Sequence, residues 1–409
     1  MKKKLKLGLF GFGCVGQGLY HVLHETHGVK AEIKKICVKT RNKSRPIPAS
    51  FFTFDRNEVL NDPEIDIVVE LIDDAAAAFE IVKSALEKGK AVVTANKKML
   101  AEHLEEIYNL QRKHGKPVLY EGSVCGSIPI LRNLEEYYDN DLIQRIEGIF
   151  NGSTNYILTK VFEEKKSYES ALKQAQELGF AESDPMLDVK GYDAKYKLVI
   201  AITHTFGVFV KPEEVINIGI DKISDLDLKF ARENGYTIKL IARAFKEGNK
   251  IFGFVAPQFI EANNPFAAVR NEYNAVQVEG AFAEKQIFIG KGAGSYPTGS
   301  AVLSDVSALT YDYAYEYKKL QQEHGLEFSN DLVTEAYVSF DDSISISIDE
   351  FHEFQSGYAA QGKQYMLGKV TLEKLHHWSK IEGIGIILAP GAILNSQAEG
   401  KKKLSRSVA

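Results

Sequence analysis

LKLGLFGFGCVG, residues 5–16, reads as a short buried strand followed by a glycine turn that opens a helix running to about residue 26. Gly11, Gly13 and Gly16 have the GxGxxG spacing of a dinucleotide fingerprint, and strand-then-helix is the setting that fingerprint requires. The glycines let the backbone approach a pyrophosphate, and the helix N-terminus stabilises its charge. A tight turn with no ligand has the same spacing, so the surroundings must carry the argument.

Working outward, strands are expected at 32–38 and 65–72. The second, IDIVVELI, is almost continuously apolar, as in a parallel sheet covered on both faces. A helix at 75–87, a strand at 91–94, a helix at 101–114 and a strand at 117–120 follow. The alternation predicts an α/β fold that begins with a Rossmann-type doubly wound parallel sheet over residues 1–140. Residues 141–325 change texture to an α+β domain. It has a strand at 143–150, a helix opened by NGST, helices at 168–178 and 190–206, a hairpin at 236–245 and 250–257, and strands at 275–279 and 286–289. A helix entered through 290–306 is expected to run to about residue 322. Residues 326–395 form a small C-terminal βαβ-like module, with strands near 333–340, 365–370 and 385–388 and helices around 351–359 and 372–380. The polar, Lys-rich stretch 396–409 is expected to be a disordered tail.

The composition, 44% hydrophobic and 26% charged over 409 residues, is that of a soluble globular protein of two or three domains. A net charge of −5 gives no basic footprint, so no nucleic-acid partner is expected. MKKK before LKLGLF resembles a signal peptide, but Gly8, Gly11, Gly13 and Gly16 break the apolar run and no small-residue cleavage site follows. No apolar stretch approaches the ~20 residues that span a bilayer, so no membrane partner is expected. Cys14, Cys37 and Cys125 are odd in number and far apart, which suits free thiols in a reducing compartment, and the cytoplasm is the expected location.

The chemistry concentrates in GFAESDPMLDVKGYDAKYKLVI, residues 179–200. Glu182, Asp184, Asp188 and Asp193 crowd together, and Lys197 lies four residues beyond Asp193, on the same helix face. A solvated pair of this kind contributes only ~0.3–0.5 kcal/mol. Ahead of a mainly apolar helix, and in a chain that carries a nucleotide fingerprint, it points instead to substrate chemistry. VVTANKK, residues 92–98, places Lys97 just past the C-terminal end of a parallel strand, the edge where ligands bind in open α/β sheets. Lys97 could there face a nicotinamide and a substrate carbonyl, although most strand-end lysines are simply solvated. After the second strand come Lys39, Arg41, Lys43 and Arg45, with no acid between Glu32 and Asp55. A basic run suits a 2′-phosphate, so NADP(H) is expected over NAD(H); a solvated loop is the plainer alternative. His21, His24 and His27 read as a wet helix face, and no HExxH or GxSxG is present, which argues against a catalytic transition metal and a nucleophile elbow.

Taken in order, GFGCVG, VVEL, VVTANKK, EGSVCGSIPI, GIFNGSTNYIL, AESDPMLDVKGYDAKYKL and GKGAGSYPTGSAV strongly resemble homoserine dehydrogenase over roughly residues 5–310. The resemblance implies interconversion of L-aspartate 4-semialdehyde and L-homoserine with a nicotinamide cofactor, in the biosynthesis of threonine, methionine and isoleucine. It implies that Gly11, Gly13, Cys14, Val15 and Gly16 hold the pyrophosphate, that Lys97 lies between cofactor and substrate, and that Gly292 and Gly294 close over the cofactor from the second domain. Glu182 and Asp193 correspond to the carboxylates that hold the homoserine ammonium, and Lys197 to the general acid. Glu121, with carbonyls of Val124, Gly126 and Ile128, resembles the family's monovalent-cation loop, Na⁺ being one such ion. A homodimer through the sheet of the 141–325 catalytic domain is implied as well.

Reduction of an aldehyde puts negative charge on its oxygen, which a nearby cation stabilises. A free lysine, with pKa near ~10.4, is protonated and can donate. Oxidation needs the neutral amine, so homoserine oxidation should improve as pH rises. Two features depart from the family: Asp73-Asp74 stands where Gly-Gly is usual, and residues 326–395 lack the D-x-P-G-type start of an ACT module. The residues leave a degenerate ACT-like module, and control by threonine, open. A non-catalytic NADP-binding regulatory protein and another Rossmann-type amino-acid dehydrogenase are the competing readings; a fused aspartokinase is not expected, since no kinase-like segment precedes residue 5.

Overall fold

A computed structural model describes residues 4–181, 184–322, 325–360, 362–390 and 395–396. The chain makes two compact units: Met1–Asp141, Val199–Lys211 and Gly290–Gln322 form the first, and Leu142–Leu198, Pro212–Ile289 and Glu323–Ala409 the second. No helix among the described residues is long and apolar enough to cross a membrane.

The first unit opens with β1 (Leu5–Phe10), α1 (Cys14–Glu25), β2 (Ala31–Cys37), β3 (Phe52–Thr53), α2 (Asn57–Leu60) and β4 (Ile67–Glu70). It continues through α3 (Ala75–Glu87), β5 (Ala91–Thr94), α4 (Lys97–His114), β6 (Val118–Leu119) and α5 (Ile130–Glu136). The six strands are parallel in the order β3-β2-β1-β4-β5-β6, with the switch point beside β1. Leu7, Leu9, Val68, Val69, Val92 and Val93 have no exposed surface, as expected of strands covered on both faces. His204 is buried in this unit, its Nδ1 2.6 Å from Glu135 Oε1 and its Nε2 2.8 Å from Tyr120 Oη.

The second unit takes β7 (Ile143–Ile149), α6 (Gly152–Glu163), α7 (Tyr168–Glu177), α8 (Met186–Val189) and α9 (Tyr192–Phe206). Residues 199–206 of α9 count with the first unit. Then come β8 (Ile216–Asn217), α10 (Asp225–Glu233), β9 (Tyr236–Glu247), β10 (Lys250–Glu261), β11 (Tyr273–Gly280) and β12 (Glu284–Lys291), before α11 (Ser295–Leu309) of the first unit. β13 (Glu327–Phe328), β14 (Leu332–Asp341), β15 (Glu353–Ala360), β16 (Lys363–Thr371), α12 (Leu372–Ser379), β17 (Ile384–Leu388) and β18 (Asn395–Ser396) complete the chain. The main path of the mixed sheet runs β12-β11-β7-β9-β10-β17-β14-β16-β15. Its longest pairing is the β9–β10 hairpin, in register from Tyr236↔Glu261 to Glu247↔Lys250. β16, α12 and β17 make a split β-α-β unit, both strands lying antiparallel to β14 between them. These strands extend the sheet of residues 142–289 through the Gln258↔Leu388 bridge.

Several sequence expectations differ from what is observed. The helix expected at 351–359 is strand β15, paired antiparallel with β16 across a turn where Gly362 has φ +83. The helix expected to reach residue 322 ends at Leu309, and YDYAYEYK then alternates, burying Tyr315, Tyr317 and Lys319 while Asp312, Ala314, Glu316 and Lys318 face outward. That is a period of two, not 3.6, and the aromatic residues hide it from a helical reading. The helix expected at 190–206 starts two residues later, at Tyr192, because Gly191 takes a φ of +81 that only glycine adopts without strain, and a separate short helix, α8, precedes it. Ser396 pairs in β18, whereas residues 397–409 of the expected tail lie outside the described residues.

Candidate active site

In the second unit the end of β7, the N-cap of α6, the short α8 and the first turns of α9 meet. Lys197 and Asp193 are about 95% buried, and Lys197 Nζ donates to Asp193 Oδ2 at 2.7 Å and to the Phe150 carbonyl at 2.8 Å. The i,i+4 spacing that suggested a pair is therefore realised away from water, where charges interact far more strongly than on a surface. Asn151 Nδ2 donates to Asp193 Oδ2 at 2.8 Å and to Asp188 Oδ1 at 2.7 Å. Asp184 is exposed and accepts from Met186 N. Glu182 lies outside the described residues. Sequence reasoning missed Asn151: NGST marks a helix start, but nothing in it says that the amide nitrogen bridges two acids.

In the first unit, Gly11 has φ +93, and a Cβ there would lie 2.6 Å from the Leu71 carbonyl oxygen. A Cβ at Gly16 would lie 2.7 Å from the Gly11 carbonyl, whereas nothing lies within 4 Å of one at Gly13. Gly13 caps α1 without a side-chain bond, Cys14 is exposed and Val15 half-buried, so the turn presents a helix N-terminus above an open glycine. That arrangement fits a pyrophosphate. Ser295 Oγ donates to the Cys14 carbonyl at 2.8 Å, which sets Gly294, with φ +124, beside the turn. Gly292 and Gly294 thus belong with the first unit, not with the second domain as the sequence suggested, because 290–322 packs there.

Lys97 is the half-buried first residue of α4. Asn96 fixes that helix start, its Oδ1 accepting from Met99 N and its Nδ2 donating to the Ile72 carbonyl, both at 3.0 Å. Lys97 and Lys98 oppose the helix dipole there, a local conflict of the kind that functional sites tolerate. Beneath, Thr94 Oγ1 donates to Glu70 Oε2 at 2.6 Å, and Glu70 Oε1 accepts from Ile72 N at 2.7 Å. Asp74 Oδ1 caps α3 by accepting from Ala77 N at 3.0 Å, which occupies one acid of the unusual pair; Asp73 is exposed. Lys39 and Arg41 are exposed just beyond β2, with Arg41 over the Phe54 ring, while Arg45 braces the loop through the Thr40 and Lys43 carbonyls.

The loop from Glu121 to Ile128 is almost wholly buried and turns through left-handed Cys125 and Gly126, both with φ 55. The Glu121 carboxylate caps α5, accepting from Leu131 N at 2.9 Å and Arg132 N at 2.8 Å. Burial pushes that carboxyl up, against those two bonds and the Arg132 charge. Its oxygens are committed to the helix, so the donors the loop can offer a cation are carbonyls, the hard oxygen ligands such ions prefer. Among the described residues no group of three His, Cys, Asp or Glu side chains could hold a metal.

A doubly wound sheet with a glycine fingerprint, joined to a unit with a buried lysine–carboxylate pair, defines a nicotinamide-dependent oxidoreductase. The homoserine dehydrogenase family model matches residues 129–307, and the model for its NAD-binding domain matches residues 11–121. A homoserine dehydrogenase of Bacillus subtilis is 40% identical over 316 residues, 75% of this chain and 73% of the relative. The crystal structure of a homoserine dehydrogenase from Thiobacillus denitrificans matches with a TM-score of 0.83 at 30% identity, over 94% of this chain and 98% of that one. A hyperthermophilic archaeal homoserine dehydrogenase in complex with NADPH matches with a TM-score of 0.66 at 28% identity, over 76% and 99%. The chain belongs to the homoserine dehydrogenase family, oxidoreductases that act on the CH–OH group of homoserine.

Proposed function

We propose that Lys197 is the group that exchanges a proton with the substrate oxygen as L-aspartate 4-semialdehyde and L-homoserine interconvert. The observation that carries this reading is the buried Lys197–Asp193 bond of 2.7 Å, which holds an amine in one position at the start of a buried helix. The nicotinamide supplies or accepts the hydride. Lys197, as ammonium, stabilises the charge growing on the aldehyde oxygen and gives it a proton; in the reverse direction it takes that proton back. Asp193 orients the amine through Oδ2 and, with Glu182, attracts the substrate ammonium. In the first unit Lys97 acts at the nicotinamide, Gly11, Gly13, Cys14, Val15 and Gly16 hold the pyrophosphate, and Gly292 and Gly294 line the same ligand. Lys39 and Arg41 favour NADP(H) by meeting its 2′-phosphate, a preference supported by the NADPH carried by the archaeal relative. A monovalent cation at the 121–128 loop would be held by the carbonyls of Glu121, Val124, Gly126 and Ile128. The working assembly is a cytoplasmic homodimer, in which the first unit (1–141, 199–211 and 290–322) serves the cofactor and the second unit the substrate.

Nicotinamide absorbance, followed with aspartate semialdehyde and either NADPH or NADH, tests the reading. Fast loss of NADPH with much slower loss of NADH is expected; equal turnover would remove the role given to Lys39 and Arg41. Lys197→Ala should abolish turnover while NADPH binding, read by fluorescence, stays near normal. Turnover close to wild type in that variant would reject its role.

A further inference from the structure

Asn151 uses its two amide ends for different tasks. Oδ1 accepts from Thr154 N at 2.8 Å and caps α6. Nδ2 spends one hydrogen on Asp188 Oδ1 and the other on Asp193 Oδ2, at 2.7 and 2.8 Å. Asp193 Oδ2 is also the atom that receives Lys197 Nζ, and the other acceptor of that amine is the carbonyl of Phe150, the residue before Asn151. One dipeptide at the end of β7 therefore holds both the lysine and its carboxylate. A cap needs only the oxygen, and Ser or Asp would serve α6 as well. Capping does not explain why the nitrogen sits within 2.8 Å of two acids in a site where Asn151 itself is 4% exposed.

We propose that Asn151 is a positioning residue for proton transfer at Lys197: its amide shares Asp193 Oδ2 with the lysine and so sets how firmly that carboxylate retains the ammonium form. The inference rests on the proton-transfer role of Lys197 given above. The hydrogen bonds of this cluster bring together Asp188 from α8 and Asp193 and Lys197 from α9, with the Phe150 carbonyl from the end of β7 and the Asn151 amide at the start of α6. A carboxylate relieved of a hydrogen-bond donor keeps more of its charge for the ammonium beside it, and opposite charge favours the charged form. Loss of the amide nitrogen should therefore make Lys197 a poorer proton acceptor at neutral pH without changing its identity.

The test is the pH dependence of kcat for homoserine oxidation in Asn151→Ser, Asn151→Asp and Lys197→Ala, each checked for native circular dichroism. Asn151→Ser keeps a capping oxygen but is too short to bridge Asp188 and Asp193. Asn151→Asp keeps cap and shape, replaces the donor by a third carboxylate, and carries the test alone if the serine variant does not fold. In both, the rising limb should move to higher pH by about one unit. At pH 7 kcat should fall roughly tenfold and recover as pH is raised. The KM for the nicotinamide cofactor should stay unchanged. Limbs that coincide with wild type, alongside an inactive Lys197→Ala, would overturn the role of Asn151 and leave it a helix cap. An active Lys197→Ala would overturn the role of the lysine itself, and this inference with it.

Discussion

Glu70 is a carboxyl with no contact with solvent, held at the end of β4 by Thr94 and the Ile72 amide. Burial, reinforced by the Asp73 charge, pushes it up to about 7, although the two hydrogen bonds oppose the shift. Between about pH 4.5 and 7 the unfolded chain has released this proton and the native chain has kept it. The unfolded state then binds fewer protons, so the contribution is complete below pH 4.5 and is lost as pH rises to 7, roughly 3 kcal/mol in all. Glu70→Gln should flatten that slope, read as urea midpoints across the window; an unchanged slope would mean that another group titrates there. At this scale the fingerprint glycines and the Asp193–Lys197 pair were legible, because their spacing states their geometry: four residues on a helix is one face. Glu70 and Asn151 were not. A glutamate in VVEL and an asparagine before a helix look alike whether their far atoms meet water, a threonine or two acids.

Among the elements, α1 and α11 approach so closely that no Cβ fits at Gly18 or Gly299. A Cβ at Gly18 would collide with the Ser295 carbonyl, and one at Gly299 would lie 2.6 Å from the Gly18 carbonyl carbon. Both obstacles are backbone, which cannot rotate aside. Gly18→Ala should therefore destabilise the protein by about 1–3 kcal/mol, the usual cost of overpacking, despite the higher helix propensity of alanine. A thermal midpoint at or above that of wild type would count against so tight a contact. Asp74→Ala should cost about 1 kcal/mol through loss of the α3 cap, whereas Asp74→Gly should cost a few tenths, and chemical denaturation can rank the two. Of the parallel strands, β1, β4 and β5 were legible as elements because a covered strand is largely apolar, whereas the two-residue β3 was not read. β15 was not, since FQSGYAA has no strict alternation and takes its shape from β16.

The whole molecule is less sequential than its motifs. Its first unit is assembled from three pieces, because 199–211 and 290–322 return to it after long excursions. His204 supplies partners to Glu135 and Tyr120, and Tyr317 N donates to Glu135 at 2.9 Å, so residues after 141 satisfy acids and hydroxyls that come before it. A fragment ending at Asp141 should accordingly melt without a sharp transition and bind NADPH poorly, although it contains the entire six-stranded sheet and the fingerprint. Cooperative melting with cofactor binding would show that the first piece suffices. The return of the chain was hidden from a linear reading: boundaries drawn at texture changes assume that each domain is one stretch.

This interleaving has a consequence during synthesis. At about 5–20 residues per second, on the order of ten to forty seconds separate the emergence of Asp141 from that of Gln322. Throughout that interval a nascent sheet waits at the ribosome with the α1 face bare, and for roughly the first third of it the Glu135 carboxylate also lacks the His204 imidazole. Birth order thus runs against assembly order, and the growing chain depends on chaperones, or on delayed collapse, until its last contributing helix arrives.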